Sequence, residues 1–212
     1  MIDVGTLYDT VSDLLVKNES GHLGNDRFNR AVELGQHHLL DFLLPKHENQ
    51  RVHEALMPFI KSVSSTGRLA RPADLHYKLS VTSLFFVNGS SEHGAYMYAT
   101  DNERALSAAS PIRRPDKSKG IFAYTMDSDG ITHYPMDVPF TFTYVRKPVT
   151  ANRAVVPDSA NDTEVYAPGA STHLEWPDSE LGRMTEIVAY LCGVQVNKSE
   201  IIQFIDSKKA LG

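Results

Sequence analysis

Cysteine is almost missing from these 212 residues: there is one, Cys192. A lone thiol closes no intrachain disulfide, so the fold does not draw on an oxidising compartment. Cys192 lies in an apolar helical run, where a thiol is expected to be buried and inert. Tryptophan is equally scarce, with Trp176 alone. No run approaches the roughly 18 apolar residues of a membrane span, which predicts no membrane partner. Met1-Ile2-Asp3-Val4-Gly5 has neither a basic nor an apolar leader region, so no signal peptide is read. The Asn-x-Ser/Thr triplets at Asn18, Asn88, Asn161 and Asn197 are then chance matches. Positive charge is in deficit: 21 Lys and Arg against 26 Asp and Glu leave a formal net charge of -5. That balance argues against tight, sequence-independent binding of nucleic acid.

Catalytic motifs are missing too. There is no GxSxG, no P-loop and no GxGxxG. Ser90-Ser91-Glu92-His93 holds nucleophile-type and base-type residues, but a triad is assembled across a fold, not from neighbours. His37-His38 are adjacent on a helix and cannot both face one metal. His47 and His53 lack cysteine partners or an HExxH pattern. Asp127-x-Asp129-Gly130 would place Thr125 and Met136 at the first and last ligand positions of a calcium loop, so a hairpin turn is the better reading. No enzyme, cofactor or metal is expected.

What is present is a soluble globular composition, 42% hydrophobic and 22% charged. Val4, Leu7, Tyr8, Val11, Leu14 and Leu15 recur at helical spacing. Asn25 is read as the cap of a second helix, with Phe28, Ala31, Val32, Leu39, Phe42 and Leu43 inward and Pro45 at its end. A third helix carries Val52, Leu56, Phe59 and Ile60, kinked or begun at Pro58. From Leu75 to about Tyr144 the pattern is that of strands. Asp127-Ser128-Asp129-Gly130 separates two of them. Phe140 to Val145 should alternate, with Phe140, Phe142 and Tyr144 on one face and threonines on the other.

Residues Val149 to Ser171 read as an extended arm or long loop, and segments of that length are functional or disordered. Leu174-Glu175-Trp176-Pro177 opens a helix whose stripe is Leu181, Met184, Val188 and Leu191, stopped by Gly193. Val196 to Glu200 starts a last helix with a capping box. The predicted class is α+β: an N-terminal helical bundle, a central antiparallel β region, an extended arm, and two C-terminal helices packing with the N-terminal ones. The segments are 1–63 (helical), 64–148 (β-rich), 149–173 (arm) and 174–212 (C-terminal helices), with 1–63 and 174–212 forming one helical domain.

Four short pieces, in order, carry a resemblance. They are Ser20-Gly21-His22-Leu23-Gly24 with Arg27-Phe28-Asn29-Arg30 and Leu56-Met57-Pro58-Phe59; Gly67 to Arg71-Pro72-Ala73-Asp74-Leu75; Thr143-Tyr144-Val145-Arg146-Lys147-Pro148; and Leu174-Glu175-Trp176-Pro177 with its helix. Together the chain resembles the neck adaptor, or head-to-tail connector, proteins of tailed bacteriophages, including crAss-like and related phages. The stretch from Ser90 to Ser118 matches none of these pieces.

The resemblance implies a structural virion protein at the portal vertex, assembled in the host cytoplasm. It implies a ring of about twelve copies built from heterologous contacts. The implied partners are the chain itself, the portal protein, an adjacent neck or tail ring protein, and genomic DNA passing without sequence-specific binding. An acidic bore would suit that passage. Candidate contacts with a neighbour or partner are Trp176, Tyr166, Ile202, Phe204, Ile205, Lys208, Lys209 and Leu211. The one basic cluster, Arg113, Arg114, Lys117 and Lys119, is a candidate contact for phosphate or an acidic partner. Other readings are a tail-completion or terminator ring, a helix-turn-helix DNA-binding regulator using the Gly21 and Gly24 turn, and a small hydrolase.

Overall fold

A computed structural model describes residues 1–17, 23–87, 90–95, 97–110, 114–158 and 163–193. In chain order its elements are α1 (Val4–Lys17), α2 (Asn25–Leu43), α3 (Gln50–Leu56), β1 (Ile60–Thr66), β2 (Arg68–Ala70), β3 (Leu75–Val87), β4 (Ser90–Ala95) and β5 (Met97–Tyr98). Then come α4 (Asp101–Ala108), β6 (Ala123–Met126), β7 (Gly130–Tyr134), β8 (Pro139–Arg146), β9 (Val155–Asp158), β10 (Thr163–Tyr166) and α5 (Leu181–Leu191). The class is α+β. The expected last helix lies outside the described residues. The chain divides into two compact units, a helical one from Met1–Pro58 with Pro148–Gly212, and a strand-built one from Phe59–Lys147.

In the helical unit α5 packs on α2 and α1. The stripes behave as their spacing demands: Leu7, Val11, Leu14, Phe28, Val32, Leu39, Met184 and Val188 are all buried. Gly35 lets α2 and α5 approach closely, since a Cβ there would meet the Val188 side chain at 3.3 Å. The two ends of the unit are stitched by a bridge. Ile2 N–H donates to the Trp176 carbonyl at 3.0 Å, and Leu174 N–H donates to the Ile2 carbonyl at 3.1 Å. Ile2, Leu174 and Trp176 are buried around it.

Several expectations need correction here. Phe42 is not inward but 51% exposed, with the Lys46 ammonium 3.8 Å from its ring centre. Leu191 is 40% exposed, one turn past the last buried residue of the stripe. Gly24, not Asn25, caps α2, because the Asn25 side chain is taken by Arg153. Pro177 precedes a 3-10 turn, Asp178–Glu180, with an extended ψ of 153°, so the helix proper starts at Leu181. Gly193 does stop the helix, at φ +84°. The third helix ends at Leu56, and a 3-10 turn, Met57–Phe59, carries the proline. Ile60 is already the first residue of β1. Ile60 follows Val52, Leu56 and Phe59 at helical spacing, but its pairing with Val145 of β8 puts it in a strand.

The strand unit holds two four-stranded sheets, ordered β1-β8-β3-β4 and β2-β7-β6-β5. One core draws on both sheets, with Val81, Phe140, Phe142 and Tyr144 from the first and Tyr124 and Ile131 from the second. The predicted alternation of β8 holds. Its aromatics are buried, while Thr141 and Thr143 face outward and meet Ser64 and Ser62 of β1, each at 3.0 Å. The Asp127–Gly130 turn joins β6 to β7: the Asp127 carboxylate accepts the N–H groups of Asp129 and Gly130, both at 2.8 Å. Gly130 is needed for space, since a Cβ there would collide with the Leu69 carbonyl of β2. One pair breaks the antiparallel rule, β5 running parallel to β6. α4 lies between them in sequence, as a parallel pair requires a crossover. Its capping box, Thr100 with Glu103, is a sequence signal that the strand reading passed over.

Candidate functional site

Residues 149–158 and 163–173 are more ordered than an arm. β9 and β10 form a two-stranded antiparallel ribbon in the helical unit. Its root is fixed by exchange of backbone hydrogen bonds between Asn152 and Thr172, at 3.0 and 2.8 Å. Arg153 is the anchor. Its guanidinium lies 3.8 Å from the Tyr8 ring centre and 5.0 Å from that of Tyr166, and donates to Asn25 Oδ1 at 3.1 Å. Asn29 accepts the Arg153 N–H at 2.9 Å. Such a cation held by aromatic faces and an amide fork fixes the ribbon's direction. Gly5 makes room for it, since a Cβ there would sit 2.6 Å from the Tyr166 ring. In the register Val165 faces Val156. They are 47% and 49% exposed, so this face of the ribbon is open.

In the strand unit, β3, β5 and β6 enclose a groove of about 450 Å³. Shifts of register between Leu75 and Tyr77, and between Lys78 and Ser80, break the alternation of β3. Consecutive residues Leu75 to Lys78 then line one groove. The parallel pairing sets Tyr98 beside Tyr124, ring centres 5.4 Å apart. The Lys78 ammonium lies over both rings, at 5.3 and 5.0 Å, and donates to the Tyr124 hydroxyl. Tyr77 and Tyr98 are 48% and 54% exposed. Arg71 completes the rim, and among the described residues none that lines the groove is acidic.

The nearby carboxylates are engaged elsewhere. Asp74 takes the Lys61 ammonium at 2.6 Å and the Tyr144 hydroxyl at 2.9 Å. The Lys61 hydrogen bond holds its carboxyl below the ordinary value, with Tyr144 adding to it against burial. Asp127 is likewise lowered, first by the Gly130 N–H and then by that of Asp129, with Arg68 beside it. His133 is fully buried and accepts the Gly67 N–H on Nε2 at 2.8 Å. Burial pushes its pKa below 6.5, so the neutral ring is the stable one.

The sequence-predicted contacts divide. Trp176 is fully buried and belongs to the core, which removes it as a surface contact of the chain. Its size and apolarity, which made it conspicuous, are used inward. Tyr166 is half-buried and packs on Arg153. Ile202, Phe204, Ile205, Lys208, Lys209, Leu211 and Arg113 lie outside the described residues. Lys117 pairs with Asp137, and Lys119 lies 3.9 Å from Asp116. The basic cluster is thus partly neutralised by its own loop, with Arg114 exposed. Arg153 and the tyrosine groove were missed. Both are assembled by tertiary contacts, and nothing local in the sequence marks them. Burial raises the Cys192 thiol above its ordinary value, with the Arg27 charge opposing it.

Among the described residues no group of three or more His, Cys, Asp or Glu side chains is placed to hold a metal ion. No helix among them is long and apolar enough to cross a membrane. No protein-family model matches the sequence, and comparison with curated proteins gives no match either.

Proposed function

We propose that the chain is a structural protein of the tailed-phage neck, a ring subunit joining the portal vertex to the tail and leaving DNA a passage. The supporting observation is where three of the four resembling pieces fall. Arg27, Phe28 and Asn29 are framework: Arg27 donates to the Cys192 carbonyl at 2.8 Å, Phe28 packs edge-on to Tyr8, and Asn29 holds the ribbon root. Leu56 to Phe59 and Thr143 to Pro148 coincide with the two points where the chain passes between its units. Leu174 to Pro177 carries the buried bridge. These are positions that preserve a shape, and shape is what a ring subunit must conserve.

A tail-completion ring would use the same features. The helix-turn-helix reading gains nothing, because the two arginines in the first turns of α2 are turned to the chain's own backbone, Arg27 to Cys192 and Arg30 to Asp26. The test is a reconstruction of the portal vertex in virions that contain this chain. A ring of its density between shell and tail is expected. Intact virions lacking it there would overturn the proposal.

A further inference from the structure

Charge is divided unevenly along the chain. Phe59–Lys147 holds eleven Lys and Arg against eight Asp and Glu, while the remainder holds ten against eighteen. The strand unit is therefore positive by three and the helical unit negative by eight. The groove of the first is rimmed by Arg71 and Lys78, has no acidic residue among its described lining, and offers Leu75 and Met126 as apolar floor. The ribbon of the second presents Val156 and Val165 on one face, with Asp158 on that face and Glu164 on the opposite one. A two-stranded ribbon is marginal in water unless something covers it. Arg153 and Tyr166 serve one side, and the valine side is open.

We propose that the valine face of one copy's β9–β10 ribbon seats in the tyrosine groove of a second copy. Val156 and Val165 lie against Leu75, Met126 and the Tyr77 ring. Asp158, on the same face, meets Arg71 and Lys78. The donor and acceptor are different surfaces of one chain, so the contact is heterologous and propagates from copy to copy. It rests on the reading of the chain as a ring subunit and supplies that ring's contact. A stacked nucleic-acid strand is the rival occupant. It fits less well: the apolar floor of Leu75 and Met126 offers nothing to a phosphate backbone. A nucleic acid would also leave the valine pair uncovered.

The test is disulfide trapping in the full chain. Val165→Cys and Tyr77→Cys together, oxidised mildly at high protein concentration, should give a ladder of dimer, trimer and higher species. Each single variant should stop at dimer. Val165→Cys with Ser62→Cys, on an exposed strand position away from the groove, should give no ladder. Adding Arg71→Glu and Lys78→Glu should lower the ladder about tenfold, the effect of losing a close charge pair. Asp158→Lys should do the same, and all three reversals together should restore it. Circular dichroism checks that each variant folds.

An equal ladder from the Ser62→Cys pair, no ladder at all, or a cross-linked monomer would each overturn the proposal. So would charge reversals without effect. Binding of a fluorescent oligothymidine that is lost with Arg71→Glu and Lys78→Glu, without a ladder, would assign the groove to nucleic acid instead. The neck reading fails separately. A ladder without neck density sinks that reading alone, and neck density without a ladder sinks this contact alone.

Discussion

The two units solve the same problem by different means. The strand unit is one uninterrupted stretch, Phe59–Lys147, whose core lies between two sheets. Its carboxylates are spent on its own cations, Asp74 on Lys61 and Asp127 on Arg68. The helical unit is built from both ends of the chain. It is closed by a bridge between residues 172 positions apart, Ile2 and Leu174. The first is made of contacts that a contiguous segment can complete by itself. The second has no complete core until its two halves meet. The difference teaches that stability and connectivity are separate properties here, and each predicts a different response to damage.

The largest effect is expected in the discontinuous unit. Trp176→Ala removes a fully buried side chain and should cost ~3–5 kcal/mol. Calorimetry should show the helical unit's transition displaced or lost while that of the strand unit remains. A single transition moving as a whole would break the comparison. The converse is Phe142→Ala, buried at the centre of β8 and stacked on Tyr144 at 5.3 Å. It should cost a similar ~3–5 kcal/mol, confined to the strand unit.

A smaller effect separates the units by pH. His133 has a folded pKa below its ordinary 6.5, so below that value the unfolded chain binds the extra proton. Its contribution to stability is complete above about pH 6.5 and declines as pH falls from there toward the folded pKa. Melting of the strand unit should therefore decline between pH 7 and 5. In His133→Gln that part of the slope should vanish, at a constant loss of about 1 kcal/mol for the altered Gly67 contact. A slope unchanged by His133→Gln would assign the effect elsewhere. The smallest effect is Lys61→Ala. The ion pair with Asp74 is open to solvent, its side chains 49% and 37% exposed. About 0.2–1 kcal/mol is expected, falling as salt is raised. Urea unfolding at low and high salt would measure it.

Much of this was legible in the sequence where one physical rule governed. Strict alternation over Phe140–Tyr144 meant one buried face, and that is how β8 sits. The spacing of Leu7, Val11 and Leu14 meant a helix packed on one side. Reading failed where two rules competed. α4 has a capping box but little apolar stripe, Asp101, Asn102, Glu103 and Arg104 being polar. Phe42 follows the spacing of an inner face, yet half of it is exposed, with Lys46 over its ring. Trp176 was rightly singled out as central, but its place is inside, where a bulky apolar ring stabilises most. The groove was illegible for another reason. Tyr98 and Tyr124 become neighbours through a parallel pairing that no local pattern announces.

The bridge from Ile2 to Leu174 also bears on synthesis. The first helices leave the ribosome long before the strand that fastens them, and in the interval the whole of Phe59–Lys147 has emerged. The inserted guest can therefore fold during translation while its host waits, since domains generally fold as units in the order they appear. A nascent chain arrested before Leu174 would present a finished guest and an unclosed host, a state that chaperones and proteases can recognise.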